Sequence, residues 1–118
     1  MTPLDRIRDF ALTLPGTEER PKDGRLTFFV ADAPFVQVRE AASGGGQSVV
    51  CVRTSDENEQ AMLLETAPDT YSRADDLGSS GWIGVTLAGE PDWQLVEDRI
   101  ARSWELAAPD RLLEAGGR

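Results

Sequence analysis

Between residues 25 and 53 the chain carries three runs whose apolar residues recur at every second position: RLTFFV at 25–30, PFVQVR at 34–39 and SVVCVR at 48–53. A period of two is the mark of a strand with one face buried. The links between the runs are short, a turn at 31–33 and the SGGGQ loop around Gly44–Gly46. Parallel strands need a crossover of a dozen or more residues, so runs joined this closely must pair antiparallel. The glycine run is not a phosphate loop, because no GK[ST] follows it and the next segment is a strand. This block therefore predicts an antiparallel sheet, and the rest of the chain must cover it.

Three helices are expected to do so. Thr2, Pro3 and Asp5 open the first, Leu4, Ile7, Phe10, Ala11 and Leu14 recur at helical spacing, and Pro15-Gly16 stops it. Thr54 with Glu57 forms a capping-box pattern ahead of a second helix over about residues 56–67, with Met62, Leu63 and Ala67 offered to the core. A third is capped by Asp92 and carries Trp93, Val96, Ile100, Trp104 and Ala107 on one stripe before Pro109. Between the second and third helices WIGVTL at 82–87 reads as a strand, paired with a weaker one at 71–74. The expected order is α-β-β-β-α-β-β-α. It forms a two-layer α+β domain with a mainly antiparallel sheet of about five strands and the helices on one face. At 118 residues the chain is read as a single domain, 1–118.

Composition closes off most chemistry. The sequence has no histidine, which excludes Ser-His-Asp and Cys-His pairs, HExxH zinc sites and an imidazole general base. Cys51 is the sole cysteine, so no intrachain disulfide or thiolate cluster can form, and a reducing, cytoplasmic setting is expected. The opening MTPLDRIRDF lacks a signal peptide's apolar run, and no stretch approaches the ~20 apolar residues of a membrane span. Neither cofactor nor metal is expected. Charge is uneven: residues 1–53 hold seven basic and seven acidic groups, and residues 54–118 hold five and fourteen, which accounts for the whole net charge of −9. That sign repels phosphate at long range, so nucleic-acid affinity would require a segregated basic face.

The order and spacing of several short segments resemble the MmcQ/YjbR family, small bacterial proteins of CyaY-like, secretion-chaperone-like fold. They are ALTLPGTEE at 11–19, the helix between VRTSDENEQ and LLETAPDTY, GWIGVTL at 81–87, DW at 92–93 and SWELAAPDRL at 103–112. The resemblance implies an α-β3-α-β2-α order and a DNA-binding role, and it brings no catalytic motif. The sequence departs from the family pattern at RPKDGRL, residues 20–26, where a tryptophan or a glycine-histidine-proline-like approach to the first strand is expected.

Ordinary structural roles account for most candidate residues. Asp75 and Asp76 are adjacent carboxylates in a polar loop, and Asp56, Glu57 and Glu59 suit a helix N-terminus. Cys51 in a strand behaves as a small hydrophobe, and the stripe of Trp93 and Trp104 is core. One constellation remains. If Leu26, Phe28, Val30, Val36, Val38, Val50, Val52, Ile83, Val85 and Leu87 face the helices, the opposite pleat presents Arg25, Phe29, Phe35, Gln37, Arg39, Cys51, Arg53, Trp82 and Thr86. Arginine among aromatics on a sheet suits single-stranded nucleic acid, and equally a protein partner or a second copy of the chain. Ahead of both stands the plainer alternative that a neighbouring loop or helix covers part of this face, and a protein partner comes before nucleic acid. The sequence thus reads as a non-enzymatic binding domain. Arg25, Phe29, Phe35, Gln37, Arg39, Arg53 and Trp82 form its expected binding face, for nucleic acid or alternatively for protein.

Overall fold

The computed structural model describes residues 3–22, 25–39, 48–73, 81–87 and 92–115. In chain order the elements are α1 (Pro3–Leu12), β1 (Thr17–Lys22), β2 (Arg25–Val30), β3 (Ala33–Arg39), β4 (Ser48–Arg53), α2 (Glu57–Thr66), β5 (Tyr71–Arg73), β6 (Trp82–Leu87), α3 (Trp93–Ala107) and α4 (Asp110–Ala115). The strands form one six-stranded antiparallel sheet in the order β1-β2-β3-β4-β6-β5. The two-layer α+β architecture is as expected, with one more strand and one more helix. The TEERPK segment of β1 shows no apolar alternation and contains a proline, so its sequence carries no strand signal. It is an edge strand whose charges and proline suit an edge, held by its ladder to β2. The Arg8 to Glu19 ion pair, 2.8 Å long, ties it to α1.

The expected apolar row is the core. Phe28, Val30, Val36, Val38, Val50, Val52, Ile83 and Val85 are buried in a single cluster with Ile7 and Ala11 of α1 and Val96, Ile100 and Trp104 of α3. Leu63, Leu64 and Ala67 at α2 and Leu112 of α4 pack against the same cluster, so all four helices sit on one side of the sheet. Burying each such side chain contributes about 1.5–3 kcal/mol, and this shared apolar face is what joins the two layers. Met62 departs from expectation and is exposed, with Leu64 taking the inward position.

Local signals set the element ends. The two-residue turn between β2 and β3 places Ala31 and Asp32 at φ of 49° and 68°, the mirror-image geometry that matches strand twist. At α2 the cap falls two residues beyond the Thr54 pattern: Asp56 accepts the N–H of Glu59, and Glu59 in turn accepts the N–H of Ser55. Thr54 instead donates its hydroxyl to the Gly81 carbonyl, joining the end of β4 to the approach of β6. Asp92 caps α3 as expected, accepting the N–H of Leu95. Thr2, the SGGGQ loop, and Asp75 with Asp76 lie outside the described residues.

Candidate nucleic-acid interface

Cross-strand register decides which residues share the face opposite the helices. Gln37 stands against Cys51 and Cys51 against Gly84, while Arg53 stands against Trp82 and Arg39 against Val49. Because Gln37 and Arg39 are two residues apart, as are Cys51 and Arg53, Arg39 and Arg53 share a face. Four residues of strand separate them along the sheet, about 13 Å.

Phe35 is the exception among the expected residues. Register shifts between Phe28 and Phe29, so Phe28 pairs with Val36 and Phe29 with Pro34, and Phe35 becomes the extra residue of a β-bulge. The bulge breaks the alternation, and Phe35 is fully buried in the helix-side cluster rather than on the outer face. It also displaces the next rung of the β3–β4 ladder. The Ser103 hydroxyl of α3 fills that gap, accepting the N–H of Arg53 and donating to the carbonyl of Phe35.

The outer face is less open than strand parity implies. Trp82 is 5% exposed and packs with Cys51 and Val49 in a second, smaller cluster. Gly84 allows this packing, since a Cβ there would stand 2.7 Å from Val49 Cγ1 and 2.8 Å from Ser72 Oγ. Arg53 lies over the Trp82 ring at 5.2 Å and donates its Nε–H to the Pro34 carbonyl. Burial lowers its pKa from the ordinary arginine value. Phe29 is half-buried beneath Arg20, whose guanidinium carbon lies 4.2 Å from the ring centre. Gln37 is buried and donates to Thr27, also buried, at 3.4 Å.

The unexpected strand β1 adds charge to this face. Glu18 pairs with Phe29, Arg20 with Thr27 and Lys22 with Arg25, so positions 18, 20 and 22 belong to the outer rows. One residue beyond the Leu26 to Val38 pair, Arg25 falls in register with Arg39, and Lys22, Arg25 and Arg39 share one row across three strands. Among the described strand residues, five basic positions, 20, 22, 25, 39 and 53, meet one acidic position, 18, in the outer rows. The four helices carry ten acidic residues against five basic ones. The helices are thus acidic on balance, while the outer strand rows hold more basic than acidic positions.

A family model named YjbR matches residues 12–106. The chain belongs to the YjbR family. The fold of this YjbR domain is similar to the crystal structure of Deinococcus radiodurans protein DR2400, described with the family-model domain DUF419. The two share 20% identity over 91% of this chain and 89% of that one, with a TM-score of 0.68. No curated protein matches the YjbR chain.

Other candidate sites lie elsewhere on the YjbR domain. Asp56 and Glu59 are engaged in the α2 cap, and no group of three or more potential metal ligands assembles among the described residues. An open cleft of about 330 Å³ at the start of α3, lined by Tyr71, Asp92, Leu95, Asp98 and Arg99 among others, lies on the helix side, away from the basic rows. No helix among the described residues is long and apolar enough to cross a membrane.

Proposed function

We propose that this YjbR domain is a non-catalytic, cytoplasmic nucleic-acid-binding domain that meets its ligand with the outer face of the sheet. The observation that carries the reading is the segregation of charge between layers: five basic positions against one acidic in the outer strand rows, on a chain of net charge −9. Such a face attracts phosphates at short range, while the helix layer orients the molecule by repelling them. A protein partner or second copy docking on the same face would need apolar anchors, and two of the three expected aromatics, Phe35 and Trp82, are buried.

Fluorescence anisotropy with a labelled single strand of about twenty nucleotides at about 20 mM salt tests the reading. The chain should bind, and log affinity should fall linearly with log salt. Replacing Arg39 and Arg53 together by alanine should reduce the salt slope by about one to two units, whereas Arg102→Ala, on exposed α3 surface, should leave it unchanged. Absence of binding at low salt, or indifference to the Arg39 and Arg53 substitutions, would overturn the proposal.

A further inference from the structure

We propose that the cleft at the start of α3 binds a small zwitterion, a free α-amino acid with an apolar side chain. The cleft is lined by Tyr71 at the start of β5 and by Asp92, Gln94, Leu95, Asp98 and Arg99 at the cap and first turns of α3. Its volume of about 330 Å³ lies at the small end of ligand pockets, which run from about 300 to 1,000 Å³. The charged residues of α3 outside the cleft are paired, Glu97 with Arg6 at 3.5 Å and Arg102 with Glu105 at 3.9 Å. Inside it the side chains of Asp98 and Arg99 have no partner among the described residues, and Nη1 of Arg99 is buried without a hydrogen bond. Neighbouring residues on a helix do not face each other, so these two charges cannot neutralise one another. A guanidinium nitrogen taken out of water without an acceptor is costly, and a carboxylate entering the cleft would draw the arginine to it and supply two. An anion alone would also meet Asp92 and Asp98, which line the same space. An ammonium group on the same ligand turns that repulsion into attraction. Leu95 and the ring of Tyr71 offer apolar surface to its side chain.

The test is a nitrogen-15 NMR titration of the full chain with L-leucine and two matched analogues, 4-methylpentanoate, which lacks the ammonium, and 3-methylbutylamine, which lacks the carboxylate. L-Leucine should shift the amide signals of Tyr71, Leu95 and Arg99 saturably, with a Kd below about 1 mM. Each analogue should bind at least about ten-fold more weakly, the loss expected for one charged hydrogen bond. Arg99→Gln and Asp98→Asn should each weaken L-leucine by about the same factor, whereas Arg102→Ala should leave it unchanged. No saturable shift at about 10 mM L-leucine, shifts confined to other residues, an analogue that binds as tightly, or indifference to either substitution would overturn the proposal. Thermal melting shows that each variant is read on folded protein. Asp98 is exposed, so its variant and the analogue comparison on the parent chain decide the matter even if Arg99→Gln unfolds.

Discussion

The hydroxyl of Ser103 accepts the backbone N–H of Arg53 at 2.8 Å, and so couples the middle of α3 to the end of β4 across 50 residues of chain. The same hydroxyl donates to Phe35, so one side chain satisfies both backbone groups left unpaired by the bulge in β3. The bulge removes Phe35 from the outer face, and the serine makes that arrangement affordable in a buried place.

Ser103→Ala should therefore destabilise the fold by about 1–3 kcal/mol, because it strands a buried donor and acceptor with little change in volume. Urea denaturation of the two proteins at equal m-value measures it. A change below about 0.5 kcal/mol would show that the bulge is held by other means.

Trp104 separates packing from hydrogen bonding. It is 1% exposed, and its indole N–H donates to the Pro15 carbonyl at 2.9 Å. Trp104→Ala should cost about 3–5 kcal/mol. Trp104→Phe keeps most of the apolar volume while losing the indole donor, and should cost less than the alanine variant on the same denaturation curves.

Gly84 should resist even alanine. The added methyl meets Val49 Cγ1 and Ser72 Oγ; the serine hydroxyl can rotate away, but the valine methyl is stiff. Gly84→Ala is expected to cost about 1–3 kcal/mol, with Val49→Ala in the same chain recovering part of the loss. Additive effects in that double-mutant cycle would refute the contact.

Gly16 tests the docking of α4. It has φ of +71°, and a Cβ there would stand 2.9 Å from Leu112 Cδ1. Gly16→Ala should cost about 1–2 kcal/mol from backbone strain alone, with an added share from the leucine. Leu112→Ala should remove only that added share, so calorimetric melting of the pair divides the two causes.

The alternation in RLTFFV, PFVQVR, SVVCVR and WIGVTL, with the stripe of Ile100 and Trp104, was sufficient to place the core and the antiparallel sheet. Burial of apolar surface is the largest favourable term in folding, and its periodicity is written directly in residue order. Strand β1 was not legible because TEERPK offers no apolar row to bury; its pairing comes from the open edge of β2 and from Glu19 meeting Arg8. The exchange of Phe35 from one face to the other was hidden too, since a bulge depends on how two strands meet and has no period of its own.

Residue order by itself determined the layers, the helix caps at Asp92 and the grouping of Arg39 with Arg53 on one face, because these follow from local spacing and from the two-residue repeat of a strand. Only the tertiary structure decided that positions 22 and 25 stand in a row with 39, that Trp82 lies beneath Arg53, and that the acidic helices lie opposite strand rows holding more basic than acidic positions. Charge exerts its effect through distance in space, and distances between separate strands are set by pairing register rather than by position along the chain.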